Sequence, residues 1–171
     1  MINFKHYEEA AAKYARSLSV KTAPVFSWDF HQEFMKELKN SFLDVTKLKV
    51  MGSKNHWDYD NLDWNTLLKD EVVIVTDSQL RIVFASKSIV KMNGYNEEEV
   101  IGKSPKMFQG QKTSEITSNE IRVAIELQQP FEKTVLNYKK NGDTYLCLIK
   151  GFPIFNTKGD LTHFIAFEKA A

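Results

Sequence analysis

The spacing of apolar residues changes period near residue 70. Downstream, Val72-Val73-Ile74-Val75 is a short continuous apolar run that predicts a buried strand, and Arg81-Ile82-Val83-Phe84-Ala85 predicts a second. Asp77-Ser78-Gln79 between them is turn chemistry. Residues 89–92 predict a short helical piece ended by Asn93-Gly94. Asn96 with Glu99 three residues later is a capping signature for another short helix, stopped by Gly102, and Pro105 suits the start of a further turn. A longer helix is predicted over 116–128, with Ile121, Ala124 and Ile125 inward and Pro130 as its stop. Strands follow over 131–139, 144–152 and 161–167, joined by Asn141-Gly142 and by Asn156-Thr157-Lys158-Gly159.

Upstream of residue 70 the period is helical. Asn3 can cap a segment in which Phe4, Tyr7, Ala11, Tyr14 and Leu18 fall on one face, with Glu9 and Lys13 as an i,i+4 pair. A helix that short is marginal alone, so it must pack on its own domain or on another chain. Ser27 can cap a second helix, with Asp29 in its first turn. Phe30, Phe34, Leu38, Phe42, Val45 and Leu48 form its apolar face, and Gly52 and Ser53 should end it. Residues 55–64 read as a loop with aromatic anchors, and a short helix is expected over 63–68. Asp58 and Asp60 suggest a calcium loop, but Leu62 occupies the third ligand position, Asp63 replaces the required glycine, and Lys69 replaces the bidentate glutamate. The aspartates are better read as turn caps. The chain thus divides into a helical region over 1–69, for capping or dimerisation, and an α+β domain over 70–171.

Composition narrows the function classes. At 171 residues the chain is one domain plus an extension, too short for a TIM barrel, which needs about 250. Twenty-three Lys and Arg against 22 Asp and Glu give a net charge of +1, which creates no general field for nucleic acid or an anionic membrane. A single cysteine, Cys147, excludes a disulfide framework and a multi-cysteine metal site. The acidic start, Met1 to Glu9, is no signal peptide, and no window approaches the roughly 20 apolar residues of a membrane span. A cytoplasmic protein is expected. No Gly-x-Ser-x-Gly, His-Glu-x-x-His or phosphate-cradling glycine loop occurs, and Glu97-Glu98-Glu99 reads as a helix-start run rather than catalytic acid chemistry. No enzyme activity and no metal are expected.

The order strand, strand, helices, three strands resembles a PAS domain over about residues 70–169. The residues carrying the resemblance are Thr76-Asp77, Arg81-Ile82-Val83, and Met92-Asn93-Gly94-Tyr95 followed by Glu97-Glu98-Glu99 and Ile101-Gly102-Lys103. The hairpin from Asn137 to Gly142 and the strand entry Gly159-Asp160-Leu161 complete it. The resemblance implies a five-stranded antiparallel sheet with short helices on one face and a ligand pocket between them. Ile74, Val90, Met107, Phe108, Ile121, Ile125, Leu136 and Leu148 are the expected pocket lining.

Within PAS domains the sequence looks most like the LOV branch of flavin photosensors. Gly102-Lys103-Ser104-Pro105-Lys106-Met107-Phe108-Gln109-Gly110 is similar to the LOV pattern Gly-x-Asn-Cys-Arg-Phe-Leu-Gln-Gly. The resemblance puts Pro105 where the photoactive thiol stands, which excludes adduct formation from that position. Flavin-contacting roles would fall on Lys106, Gln109, Arg122 and Asn137, whereas Cys147 and Glu168 stand where the family has an asparagine and a glutamine. With those ring contacts changed, no cofactor is expected, and FMN or FAD is the alternative. Haem is disfavoured because none of His6, His31, His56 and His163 lies on the long helix; His163 is expected at an exposed or edge position, and Cys147 as a small buried apolar residue. The expected function is a stand-alone sensory or protein-interaction module without fused effector, a homodimer through Phe4, Tyr7, Tyr14 and Leu18, acting on a separate signalling partner. The alternative is a flavin-binding redox or light-responsive module with a degenerate site.

Overall fold

The computed structural model of the chain describes residues 26–58 and 71–171. The stripe of Phe4, Tyr7, Tyr14 and Leu18 and the short helix expected over 63–68 lie outside the described residues. Helix α1 spans Phe26–Lys54. Strands β1 (Val72–Asp77) and β2 (Ile82–Ala85) follow, then the short helices α2 (Ile89–Asn93) and α3 (Glu97–Val100) and a 3-10 turn at Pro105–Phe108. Helix α4 (Glu115–Glu126) leads to β3 (Phe131–Tyr138), β4 (Thr144–Phe155) and β5 (Leu161–Ala170). The five strands form one antiparallel sheet in the order β2-β1-β5-β4-β3. This is the PAS/LOV fold expected from the sequence, with a helix preceding the sheet.

Local chemistry explains the breaks. Gly94 and Gly102 take left-handed φ values of 82° and 79°, where a side chain would be strained, so α2 and the turn after α3 end at glycine. The Asn96 N–H donates to Glu99 Oε2 at 2.9 Å, the backward arm of the expected capping pair. Ser114 Oγ accepts from the Thr117 N–H at 3.2 Å and starts α4. That helix ends before Pro130, because Gln128 already turns left-handed at φ 53°.

Helix α1 departs from expectation at both ends. It begins before Ser27, the expected cap, and it runs through Gly52 and Ser53. Its actual stop is His56, left-handed at φ 52°, with the Trp57 N–H donating to the Gly52 carbonyl at 3.0 Å. Gly52 is buried within the helix and does not terminate it. Among the described side chains, coverage of the apolar stripe falls at its C-terminal end. Val45 and Leu48 are buried, whereas Leu38 and Phe42 are exposed.

Residues 37–171 form one compact unit with two apolar clusters, one on each face of the sheet. Period-two alternation creates them. On one face, Val73, Val75, Phe84, Ile154, Ile165 and Phe167 pack with Val45, Leu48 and Trp57. On the other, Val72, Ile74, Ile82 and Ala85 pack with Ile89, Val100 and Phe108. Polar contacts fasten α1 to the sheet's helices. Asp44 Oδ2 accepts the Lys87 N–H at 2.8 Å, Lys47 Nζ pairs with Glu97 at 2.6 Å, and Lys91 pairs with Glu37. Burial pushes the Asp44 pKa up, while the Lys87 N–H pulls it back.

His163 is corrected from an exposed or edge position to a buried one. β5 lies between β1 and β4, and the Trp57 indole N–H donates to His163 Nδ1 at 3.0 Å. The segment after α1 is stitched to the β4–β5 turn, with Asp58 N–H donating to the Phe155 carbonyl and Thr157 N–H to that of His56.

Candidate functional site

A cavity of about 200 Å³ lies between the second face of the sheet and the layer made by the 3-10 turn and α4. The sheet contributes Ile74 and Thr76 from β1, Phe131 and Asn137 from β3, Ile149 and Gly151 from β4, and Phe164, Ala166 and Glu168 from β5. The opposite wall holds Pro105, Lys106, Phe108, Gln109, Ile121, Arg122 and Ile125. Gly151 is required where it stands. It lies opposite Phe131 in the ladder, and a Cβ there would come within 2.3 Å of the Phe131 ring.

The structure brings together Lys106, Gln109, Arg122 and Asn137, the four residues to which the LOV resemblance assigned flavin contacts. Lys106 is exposed, and Arg122 is largely so and pairs with Glu126 at 3.5 Å. Gln109 Oε1 lies 3.5 Å from Ser118 Oγ, which donates to it. Asn137 is buried, and its Oδ1 has no hydrogen-bond partner.

Of the eight expected apolar lining residues, Ile74, Phe108, Ile121 and Ile125 face the cavity. The other four are placed elsewhere. Val90 is exposed on α2 beside a separate open groove with Lys139 and Lys140. Met107 packs against the cluster around Phe108. Leu136 and Leu148 fall on the opposite sheet face, because Asn137 and Ile149 of the same strands point into the cavity and neighbours on a strand alternate. That parity was available in the sequence: once Asn137 is turned inward, Leu136 must turn outward. The same rule run along β5 selects Phe164, Ala166 and Glu168.

Glu168 is the unusual member of the site. It is 4% exposed, and among the described residues its carboxylate accepts only from the Cys147 thiol, with Sγ 3.7 Å from Oε2. Burial raises its pKa from 4.5 to about 7, against a smaller opposing pull from the thiol. Burial, followed by the charge of Glu168, pushes the Cys147 thiol up in turn. A fully buried thiol held in its protonated form is a poor nucleophile. The Tyr145 hydroxyl is also buried and shifted upward, chiefly by desolvation. It has no partner in hydrogen-bonding geometry, although the Asn93 and Asn137 amides lie near enough to pull the other way. Thr76 Oγ1 likewise has no partner.

Among the described residues, no group of three or more His, Cys, Asp or Glu is placed to hold a metal ion, and no helix is long and apolar enough to cross a membrane. What the arrangement offers is a small, mostly apolar chamber with buried acceptors on the sheet side and two cations on the helix side.

Comparison with known proteins agrees with this geometry. A stretch of 88 residues is 42% identical to Protein TWIN LOV 1 of Arabidopsis thaliana, covering 51% of this chain and 22% of that protein. A stretch of 87 residues is 33% identical to a blue-light-activated histidine kinase of Brucella canis, covering 51% of this chain and 18% of that one. The chain therefore spans only about a fifth of the length of these curated relatives. Among solved structures, the light state of the blue-light photoreceptor Aureochrome1 LOV superposes with a TM-score of 0.58 at 23% identity, over 65% of this chain and 89% of that one. A light-oxygen-voltage domain studied with a flavin analogue reaches 0.61 at 20% identity, over 66% and 87%. The PAS domain pattern itself matches residues 70–169, from just before β1 to the end of the sheet, and the chain belongs to the PAS domain family.

Proposed function

We propose that this chain is a non-catalytic sensory module that holds a small ligand in the cavity and reports its presence through α1, without thiol-adduct photochemistry. The observation that carries this reading is the two-sidedness of β1 and β5. Ile74 and Glu168 face the cavity, while their neighbours Val73, Val75, Ile165 and Phe167 form the bed on which Val45 and Leu48 lie. Close-packed interiors transmit small displacements, so a ligand that shifts Ile74 or Ala166 also shifts the bed of α1. A signal requires that the ligand prefer one α1 packing over another. Adduct chemistry is not expected, because Pro105 stands in the cavity wall and Cys147 is buried against Glu168.

The test needs no ligand. Ala166→Leu places extra side chain in the cavity. Hydrogen exchange over residues 41–54 should change in that variant relative to the wild type. An unchanged exchange profile over α1, in a variant that folds, sinks the coupling. The module acts on a separate signalling partner as a homodimer, in keeping with the exposed apolar Leu38, Phe42 and Leu43 on α1 and Leu146 and Phe152 on β4. Light scattering on the concentrated chain tests the dimer, and a monomeric mass rejects it.

A second reading, a flavin-binding redox or light-responsive module, is favoured by one observation: Lys106, Gln109, Arg122 and Asn137 all reach the same cavity. Absorption decides it. Protein that purifies with, or acquires on incubation, a structured blue-absorbing flavin band supports this reading, and protein that stays colourless with FMN and FAD removes it.

A further inference from the structure

The cavity is polarised, and its polarity selects a ligand. On the sheet side a polar diagonal crosses three strands on one face. Asn137 of β3 lies opposite Tyr145 of β4, Cys147 follows on the same face, and Glu168 of β5 pairs with Ile149, the next residue on that face. Of these, Asn137 and Glu168 line the cavity, and both are at least nine-tenths buried. Asn137 Oδ1 has no partner, and the Glu168 carboxyl has only the weak thiol donor of Cys147. The Cys147 thiol faces Glu168 at 3.7 Å, so the unmet demand on the sheet side is for donors to Asn137 Oδ1 and the Glu168 carboxylate, beside the Thr76 hydroxyl, which can donate or accept. The facing wall offers donors, namely the Lys106 ammonium, the Arg122 guanidinium and the Gln109 amide. Buried acceptors without donors are costly, and a ligand that supplies the donors removes that cost.

Size narrows the class further. About 200 Å³ is below the roughly 300 Å³ at which pockets for drug-sized ligands begin, and somewhat above the about 150 Å³ chamber that admits one benzene ring. Ile74, Phe108, Ile121, Ile125 and Phe131 supply apolar walls for such a ring. We infer that the cavity takes a small single-ring compound that presents N–H donors to Glu168 and Asn137 and an anionic group to Lys106 and Arg122. This rests on the reading that the cavity is the module's ligand site and adds the chemistry of the ligand. A net cation would be repelled at Lys106 and Arg122, and a doubly acidic ring would meet Glu168, so only the mixed polarity satisfies both walls.

The probe is para-amidinobenzoate, a ring with an amidinium at one end and a carboxylate at the other. The comparison is terephthalate, which keeps the ring and one carboxylate but replaces the donors with acceptors. Calorimetric titration of each into the full chain at mildly alkaline pH, where Glu168 is ionised, should show saturable binding of para-amidinobenzoate, with terephthalate weaker by roughly tenfold or more. Glu168→Gln, nearly isosteric, should reduce that preference by roughly tenfold, and Ala166→Leu should abolish binding of both. Equal or tighter binding of terephthalate overturns the inference, as does a preference that survives Glu168→Gln or an absence of para-amidinobenzoate binding. Binding unaffected by Ala166→Leu overturns it too, because the site then lies elsewhere. The exchange experiment on α1 uses no ligand, so the sensory reading stands or falls separately from this one.

Discussion

Cys147 Sγ lies 3.7 Å from Glu168 Oε2 and donates to it, so the chain's single thiol and its buried cavity acid are each other's partners. β4 and β5 are antiparallel neighbours, and Cys147 and Glu168 sit diagonally on one face of that pair. The contact gives a buried acid its one side-chain donor, and it keeps the thiol protonated.

The first consequence concerns reactivity. Cys147 is 0% exposed, and its pKa is raised by burial and then by the Glu168 charge. Thiolate is the reactive species, so native protein should react with dithiodipyridine far more slowly than protein unfolded in guanidinium. Native and unfolded rates that match would show that the thiol is reachable and the burial argument is wrong.

Glu168 predicts a pH dependence with a definite sign. Its pKa rises from 4.5 unfolded to about 7 folded, so between those values the folded state binds more protons than the unfolded state. Stability is then fully present below pH 4.5 and declines as pH rises through about 7. The size of this contribution is on the order of 3 kcal/mol. Glu168→Gln removes the titration. Urea unfolding at mildly acidic and mildly alkaline pH should show a stability loss in the wild type that the variant lacks. A wild type that gains stability over the same interval, with the variant unchanged, contradicts the placement of this acid.

His163 works in the opposite direction. Burial lowers its pKa below 6.5, with Asp77 opposing, and its Nδ1 accepts the Trp57 indole N–H at 3.0 Å. Protonating Nδ1 would break that bond. The folded state therefore binds fewer protons than the unfolded one, and stability present above pH 6.5 is lost as pH falls through the lower folded value. Because Glu168 titrates in an overlapping interval with the other sign, the measurement belongs in the Glu168→Gln background. There, acid should lower the urea midpoint, and adding His163→Phe should remove most of that slope. A slope unaltered by the second substitution assigns the acid sensitivity to another group.

The coverage of α1 predicts a contrast along one helix. Leu48 is 0% exposed in the cluster on the sheet, and Leu38 is 55% exposed. Leu48→Ala should cost roughly 2–5 kcal/mol. Leu38→Ala should change stability by no more than about 0.5 kcal/mol in a dilute monomer. Equal costs would mean that α1 is covered along its whole length.

The strands and the short helices were legible in the sequence, because each is a local pattern, and the five-stranded sheet that joins them was implied by the PAS resemblance. Examples are four consecutive β-formers at Val72–Val75, a glycine where φ must be positive at Gly94, and a hairpin turn at Asn141-Gly142. Apolar character alone points Leu136 and Leu148 into the cavity, whereas strand parity turns them to the other face. Val90 satisfied a helical pattern, but α2 is a single turn with that side outside. Gly52 reads as the stop of α1, yet the helix runs through it and His56 takes the left-handed turn.

Sequence alone determined most of the described secondary structure and the family resemblance, and it marked part of the cavity wall, namely Ile74, Phe108, Ile121 and Ile125 with Lys106, Gln109, Arg122 and Asn137. Periodicity, turn chemistry and capping are interactions over a few residues, and a linear chain displays them directly. Only the tertiary structure decided that Glu168 and Cys147 are partners, that His163 is buried under Trp57, and that the cavity presents acceptors on one wall and cations on the other. These depend on register between strands distant in the chain and on how deeply each group is removed from water. Desolvation, which sets the protonation of Glu168, does not exist until the sheet and its helices close over it.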